Sequence, residues 1–168
     1  MNFISSKGVR LIDFIGLADV EIKMILEWRN NNYIRINMIN SNIISEKEHV
    51  NFFNSLKENK TINKYFLACK NDIYIGVVSF NDVFDVSASV NIGLYSNPNL
   101  RKNGVFLLSS ICEYCFNEIK CKNIIIDVLT ENSNAISFYI KYGFIEIDNY
   151  NIDGRLMKKM EIIYANWK

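Results

Sequence analysis

The chain has 168 residues, of which 49% are hydrophobic and 22% charged, and its formal net charge is +1 at pH 7. This length suits one globular core, so we expect residues 1–168 to form a single domain, and the near-zero charge argues against nucleic-acid or membrane partners. No run reaches the ~18 apolar residues of a membrane span, and "MNFISSKGVR" lacks a signal-peptide core, so a cytoplasmic protein is expected.

The first half of the chain predicts a strand, two helices and a hairpin. "GVRLIDFI" (8–15) reads as a strand, and residues 18–30 carry apolar side chains at helical spacing. "SEKE" at 45–48 is a capping box that opens a second helix. "KYFLACK" and "IYIGVVSF" flank Asn71-Asp72, which predicts two strands joined by a tight turn.

The second half predicts strands that alternate with helices. A strand over about 87–96 precedes a helix over about 104–118, and the continuous apolar run "KNIIIDVL" (122–129) predicts a strand buried on both faces. "NSNAISFYIKYGF" then predicts a helix that ends at Gly143, and Asp153-Gly154 predicts a turn between two last strands. This order, β-α-α-β-β-β-α-β-α-β-β, indicates an α/β domain with a mixed sheet.

Two cysteines form a C-x-x-C pattern within the helix over 104–118. Cys112 and Cys115 lie in a continuous apolar stretch, and not at the strand-to-helix turn that redox motifs occupy. We therefore interpret them as core residues in the reduced state, and we expect no metal site.

The loop "NPNLRKNGVF" (97–106) connects a predicted strand to a predicted helix. Backbone N–H groups and the helix dipole converge at such a junction, and both favour an anion. Gly104 permits close approach of the backbone, while Arg101 and Lys102 add positive charge. The loop therefore predicts a site for a diphosphate.

Two motifs together resemble the GCN5-related N-acetyltransferase superfamily. The superfamily's pyrophosphate loop, R/Q-x-x-G-x-G/A, is matched by Arg101 and Gly104, whereas Phe106 departs from the small residue of the pattern. The superfamily's later N-x-x-A-x-x-x-Y helix, followed by G-F, is matched by a set of residues at the same spacing: Asn132, Ala135, Tyr139, Gly143 and Phe144.

The resemblance implies a mixed, mostly antiparallel seven-stranded sheet flanked by four helices and splayed between the fourth and fifth strands. It implies acetyl-CoA as the cosubstrate, bound by backbone groups of the fourth strand, by the pyrophosphate loop and by the later helix. The residues implied in acetyl-CoA binding are Ile92, Leu94, Arg101, Lys102, Asn103, Gly104, Val105, Phe106, Asn132, Ala135, Phe138 and Tyr139.

The same resemblance implies direct transfer of acetyl to an amine. Tyr139 is implied as the acid that assists departure of the thiolate, although an aromatic residue on an amphipathic helix is also an ordinary core residue. Asp127, Ser79 and Glu131 are candidates for the base that removes the amine proton, and an ordered water chain is the alternative to all three.

The stretches "EWRNNNYIRINM", "IISEKEHVNFFNSL" and "NKYFLACKNDIYIGVVSF" resemble the acetyltransferases of the pseudaminic acid pathway. This resemblance implies acetylation of the 4-amino group of a UDP-linked 4-amino-4,6-dideoxy sugar that feeds flagellin glycosylation. It implies that Arg29 and His49 contact the diphosphate of this nucleotide-sugar substrate, with Tyr95, Asn81 and Met38 lining the pocket. Two structural alternatives stay open: Arg29 as a cation at a helix C-terminus, and His49 as a half-buried residue with its hydrogen bonds satisfied.

Two other functions remain open at this stage. A ribosomal-protein-type N-terminal acetyltransferase also carries a W-R-N turn after its first helix, but the absence of acidic residues in "NYIRINMINSNII" (32–44) favours an anionic acceptor over a basic one. A non-catalytic acyl-CoA-binding domain would not need Tyr139. A homodimer that pairs through the apolar terminal strand "LMKKMEIIYANW" is a further expectation.

Overall fold

The computed structural model describes residues 2–58, 63–81 and 89–167. All strands within these ranges join one sheet in the order β1-β2-β3-β4-β5-β6-β8-β7. The strands are β1 (Asn2–Ile4), β2 (Val9–Asp13), β3 (Lys64–Lys70), β4 (Ile73–Asn81), β5 (Ser89–Ser96), β6 (Asn123–Leu129), β7 (Ile145–Ile152) and β8 (Arg155–Ile163).

Helices pack on both faces of this sheet. The α-helices are α1 (Asp19–Asn30), α2 (Asn32–Arg35), α3 (Glu46–Lys57), α4 (Gly104–Glu113) and α5 (Ser133–Lys141). A wider π-helical turn, Tyr114–Ile119, continues α4, and short 3-10 turns span Phe14–Gly16 and Tyr164–Asn166. Among the described helices, none is both long and apolar enough to cross a membrane.

The sheet is antiparallel except where β5 and β6 run side by side in parallel. This parallel pairing covers only the first half of β5, from Ser89 opposite Asn123 to Ile92 opposite Ile126. On its other side β5 stays paired with β4 as far as Ser96. The two central strands therefore splay apart after Ile92, which confirms the splay predicted between the fourth and fifth strands of the sequence.

Local sequence signals account for the ends of several elements. Ser45 and Glu48 form the predicted capping box at the start of α3. Both residues of Asn71-Asp72 and of Asp153-Gly154 have positive φ, as two-residue hairpin turns of type I′ require. Gly143 has a φ of 93° and ends α5 as predicted.

The core is divided between the two sheet faces. The α4 face, which we define by Val78, Ile92, Ile126 and Leu107, is covered by α4 and α5. The α1 face, defined by Leu67, Val77, Trp28 and Phe53, is covered by α1 and α3. The predicted core positions Cys112 and Cys115 are fully buried free thiols on the α4 face.

The structure corrects several expectations. The sheet has eight strands and not seven, because Asn2–Ile4 pairs with β2, and the described residues form five α-helices and not four, since α2 is a separate helix. The terminal strand β8 pairs with β6 on one side and β7 on the other, so it offers no free edge and the predicted pairing through it is wrong. A homodimer stays a prediction, and residues 87 and 88 of the predicted fourth strand lie outside the described residues.

Candidate active site

The site begins where β5 and β6 separate. Residues 93–96 of β5 have no partner on β6, so their backbone groups on that side are free to bind another molecule. Ile92 and Leu94, both predicted to bind the cosubstrate, lie on either side of this point. An extended chain with amide groups can hydrogen-bond to such an edge.

The loop that follows β5 leads directly into the N-terminus of α4. Asn103 precedes the first helical residue, Gly104, and its side chain forms no capping hydrogen bond. Among the described residues, the backbone N–H groups of Gly104 and Val105 have no hydrogen-bond partner. Arg101 and Lys102 are exposed next to them, and the left-handed φ of 65° at Lys102 turns the chain into the helix. This end of α4 therefore has the donors and the charge that a diphosphate requires.

Gly104 lies against α5. A Cβ atom at this position would stand 3.3 Å from the ring of Phe138, so any other residue would have to push this ring away by a few tenths of an ångström. Phe106, which departs from the superfamily pattern, is half-buried with Lys70 Nζ 4.7 Å from its ring centroid.

The start of α5 is fixed by Asn132. Its side-chain Oδ1 accepts a hydrogen bond from the N–H of Ala135 at 3.2 Å, which leaves the Nδ2 group free of this cap. Ala135 and Phe138 are half-buried against the α4-face core. The predicted cosubstrate residues of α4 and α5 therefore lie at one edge of the same core.

Tyr139 is buried on the α4 face and packs against Phe144, with ring centroids 5.6 Å apart. Burial raises the pKa of Tyr139 above its usual value, and the nearby Cys112 raises it further. A raised pKa keeps the phenol protonated at neutral pH. Tyr139 can therefore act as an O–H donor.

A known family accounts for these three features, which are the free strand edge, the open helix N-terminus and the buried tyrosine. The profile of the Acetyltransferase (GNAT) family matches residues 22–144, which is more than half of the chain. The chain belongs to this family. It is an N-acetyltransferase, and acetyl-CoA is its cosubstrate.

Named relatives are similar over most of their length. Acetyltransferase PseH from two strains of Campylobacter jejuni is 30% and 32% identical over 136 residues, which cover 81% of this chain and 84% of each relative. The crystal structure of C. jejuni N-acetyltransferase PseH in complex with acetyl coenzyme A has a TM-score of 0.71 at 27% identity, covering 93% of this chain and 99% of that one. Spermidine N-acetyltransferase from Vibrio cholerae shares the fold, with a TM-score of 0.80 at 20% identity over 94% of this chain and 96% of that one.

On the α1 face, polar side chains collect beside the splay of this acetyltransferase. Ser79 is buried opposite Gly93, and a Cβ on Gly93 would stand 3.0 Å from the Ser79 Oγ. Asn81 is opposite Asn91, whose Nδ2 donates to Oδ2 of Asp127 at 2.6 Å. The structure thus brings Asp127, Ser79 and Asn81 to one face, separated from Tyr139 by the sheet.

Arg29 and Tyr95 lie close enough for each to shift the pKa of the other, nearer the end of β5. Arg29 Nη2 donates to the carbonyl of Asn40 at 2.7 Å, whereas Nη1 is buried without a partner among the described residues. Burial lowers the pKa of Arg29, and the nearby Tyr95 acts in the opposite direction. Burial in turn raises the pKa of Tyr95, so its hydroxyl stays protonated at neutral pH.

His49 lies apart from this group, between α3 and α1. It is only 6% exposed, its ring packs against Phe53, and Nε2 is 2.9 Å from the carbonyl oxygen of Ile22. Because a carbonyl only accepts, this nitrogen carries a proton, and since burial lowers the pKa of His49 the ring is neutral at pH 7. The predicted contact of His49 with substrate stays a prediction.

Sequence reasoning missed two residues of the site. Asn91 escaped notice although a polar residue inside the apolar alternation "SVNIGLYS" was a usable signal. Arg155 gave no signal, yet it donates to the carbonyls of Met38 and Ile36 and pairs with Glu131 at 3.4 Å. Arg155 thereby holds the segment that carries Met38, one of the residues predicted to line the acceptor pocket.

Proposed function

We propose that this enzyme acetylates the 4-amino group of a UDP-linked 4-amino-4,6-dideoxy sugar in pseudaminic acid biosynthesis, the pathway that feeds flagellin glycosylation. The observation that carries the proposal is the unpartnered Nη1 of Arg29. A buried guanidinium nitrogen without an acceptor is costly, and a phosphate oxygen of the acceptor would satisfy it. Tyr95 next to Arg29 offers an aromatic ring for a nucleotide base.

The two ends of the acceptor site are well separated along β5. Tyr95 lies beside Arg29 at one end, and Asn91 bonds Asp127 at the other. Four residues of strand correspond to about 13 Å. This separation suits an elongated acceptor with an anionic group at one end and an amine at the other.

The named relatives support the same assignment. The relatives at 30% and 32% identity are both called Acetyltransferase PseH, and they match over most of this chain. The similarity to these relatives and the unpartnered Arg29 nitrogen are two separate grounds for the proposed acceptor. Met38 and Asn81 would line the acceptor pocket, and His49 would contact the diphosphate together with Arg29.

The roles proposed for cosubstrate binding follow from the free backbone groups. The N–H groups of Gly104 and Val105, with Arg101 and Lys102 beside them, would hold the pyrophosphate of acetyl-CoA. The open edge of β5 would bind the pantetheine amides and orient the thioester carbonyl. Asn132 and Phe138 would contact the pantetheine arm from α5, while Asn103, Ala135 and Phe106 shape the wall around it.

Transfer then takes place at the splay, with proton-handling groups on opposite faces. The amine nitrogen attacks the carbonyl carbon, a C–N bond forms and the C–S bond breaks. Asp127, with Ser79 nearby, accepts the proton lost by the nitrogen, while the Tyr139 hydroxyl hydrogen-bonds to the departing sulfur and supplies its proton. Proton exchange with solvent then restores the carboxylate and the phenol, and the products are the acetamido sugar and the free thiol of CoA.

The test is acetyl transfer followed by mass spectrometry. Acetyl-CoA is offered with a UDP-4-amino-4,6-dideoxy sugar in one reaction and with a peptide that has a free N-terminus in another. We expect the sugar to gain one acetyl group, and we expect the Arg29→Gln variant to raise the KM for this sugar. Transfer only to the peptide would overturn the proposal in favour of a protein N-terminal acetyltransferase, and transfer to neither would overturn the acceptor class.

A further inference from the structure

Asn91 connects the two strands at the residue where they begin to separate. It immediately precedes Ile92, the last β5 residue paired with β6, and Asp127 is the first β6 residue beyond that pairing. The 2.6 Å bond from Asn91 Nδ2 to Asp127 Oδ2 therefore crosses the start of the splay. A short hydrogen bond to a carboxylate is strong and fixes the rotation of the acid side chain.

This bond leaves a second oxygen available. Asp127 Oδ1 is buried and has no hydrogen-bond partner among the described residues. The same is true of Asn81 Oδ1, and Asn81 lies directly opposite Asn91 across β4 and β5. Two buried acceptors on one face, with no donor at hydrogen-bond distance in the described part of the chain, are a costly arrangement unless a ligand supplies N–H or O–H groups.

Other polar groups lie near Asp127. Tyr150 is close by, since burial, the negative charge of Asp127 and hydrogen bonding to its carboxylate raise the pKa of Tyr150 to about 12. Lys159 is the cross-strand neighbour of Asp127, and its Nζ lies 5.3 Å from the Tyr150 ring centroid. Beside Asn91 along β5, Gly93 has no side chain, and Ser79 Oγ lies 3.0 Å from the place where a Cβ of Gly93 would stand, so Ser79 borders this face at the splay.

We propose that Asn91 is a positioning residue that fixes the orientation of the Asp127 carboxylate, and that Oδ1 of Asp127 and Oδ1 of Asn81 together bind the N–H groups of the acceptor amine. A primary amine carries two N–H groups and its protonated form three, which matches two converging acceptors. The proposal rests on the proposed function only for the identity of the acceptor, because any primary amine can donate hydrogen bonds to Asp127 Oδ1 and Asn81 Oδ1. Asn91 acts on the amine through Asp127, whose Oδ2 its Nδ2 holds.

A double-mutant cycle tests the positioning role. We expect Asn91→Ala to lower kcat with the acceptor by about 10- to 100-fold while the Kd for acetyl-CoA is unchanged, because loss of the bond misplaces the base. In the Asp127→Asn background the same change should lower kcat by less than about twofold, since its partner no longer acts as a base. If Asn91→Ala lowers kcat by the same factor in the wild type and in the Asp127→Asn background, the proposal is wrong.

A matched control is available at the start of β6, the strand that carries Asp127. Asn123 Nδ2 donates to Glu161 Oε1 at 2.7 Å, an equivalent amide–carboxylate pair at the far end of β6. Asn123→Ala should leave kcat within about twofold of the wild type. If Asn123→Ala and Asn91→Ala lower kcat equally, the effect comes from the stability of the sheet and the positioning role is wrong.

An acceptor-independent measurement separates this proposal from the proposed function. The probe is a high-resolution crystal structure of the enzyme with acetyl-CoA, prepared with and without the UDP-4-amino-4,6-dideoxy sugar. We expect a water molecule, or the sugar amine, bound to both Asp127 Oδ1 and Asn81 Oδ1 while the Asn91–Asp127 bond persists. A protein donor on either oxygen would overturn the inference, whereas failure of the sugar to react, with the water in place, would overturn only the proposed acceptor.

Discussion

Phe138 on α5 lies against Gly104 on α4, with a ring atom 3.3 Å from the place where any other residue would carry its Cβ. The contact joins the two elements that carry the family's cosubstrate motifs. It also sets the first turn of α4, whose N–H groups at Gly104 and Val105 are unpartnered among the described residues. The packing of one aromatic ring therefore bears on the position of the proposed pyrophosphate donors.

We expect Gly104→Ala to weaken acetyl-CoA binding. The added methyl group must displace Phe138 or the start of α4, and overpacking of this kind costs about 1–3 kcal/mol, which corresponds to about a fivefold or greater rise in Kd. Isothermal titration calorimetry measures the change. Gly16→Ala is the control, because a Cβ there meets no atom within 4 Å. An unchanged Kd in Gly104→Ala would show that this contact does not set the donor geometry.

A second prediction concerns the hydroxyl of Tyr139. Tyr139→Phe keeps the ring that packs on Phe144, so the melting temperature should change little, whereas kcat should fall about 100-fold through loss of the O–H donor. Because burial raises the pKa of Tyr139 above its usual value of about 10, the wild-type rate should show no loss from its ionisation up to about pH 10. Steady-state kinetics across pH measure both.

The matched control for this change is Tyr142→Phe. Tyr142 caps the C-terminus of the same helix, and its ring centroid is 4.9 Å from that of Phe138. Its hydroxyl has no proposed role, so its removal should leave kcat within about twofold of the wild type. Equal losses in both variants would contradict a specific role for Tyr139.

Local chemistry in the sequence was sufficient to predict most element boundaries. The capping box at Ser45 and the turn at Asp153-Gly154 depend on neighbouring residues alone, so the pattern and the structure agree. The splay was predicted through resemblance and not through periodicity. The strand β1, three residues long, carries no pattern that can be distinguished from a loop, and only its pairing with β2 defines it.

The acceptor side of the site could not be predicted from local sequence patterns, because it is formed by contacts between residues that are distant in sequence. Asn91 and Asp127 are 36 positions apart, and Arg155 and Met38 are 117 apart. No local rule indicates such pairs, because each residue alone resembles an ordinary polar position on a sheet. The role of His49 was predicted only through resemblance, and its hydrogen bond to the carbonyl of Ile22, 27 positions away, could not be predicted from the sequence.

A third prediction follows from Arg155. Its guanidinium donates to the carbonyls of Ile36 and Met38, which fastens the segment that follows α2 to the start of β8. Arg155→Ala should raise the acceptor KM about tenfold and leave the Kd for acetyl-CoA unchanged, because only the acceptor side loses its support. Arg155→Lys should recover little, since one ammonium group lacks the planar fork that reaches both carbonyls.

Lys158, three residues along β8, provides the control for that experiment. It pairs with Glu146 on the neighbouring strand β7, and such pairs near the surface contribute about 0–1 kcal/mol. Lys158→Ala should leave the acceptor KM within about twofold of the wild type. A comparable rise in KM for both variants would assign the effect to the hairpin as a whole.

The last prediction concerns the pH dependence of stability at His49. Burial lowers the pKa of His49 in the folded protein, although its hydrogen bond to Ile22 acts in the opposite direction. The histidine of the unfolded chain has a pKa of about 6.5, so just below this pH the unfolded chain binds a proton at His49 and the folded protein does not. The free energy of unfolding should therefore fall as the pH drops through this value toward the lower folded pKa.

Urea unfolding from about pH 8 to about pH 5 measures this dependence. His49→Gln keeps an N–H donor for the Ile22 carbonyl but does not titrate, so the free energy of unfolding of this variant should depend less steeply on pH in that window. The acceptor KM of the His49→Gln variant tests whether His49 contacts the substrate. A KM equal to that of the wild type would confine His49 to joining α3 with α1, whereas a rise without loss of stability would support the predicted contact with the substrate.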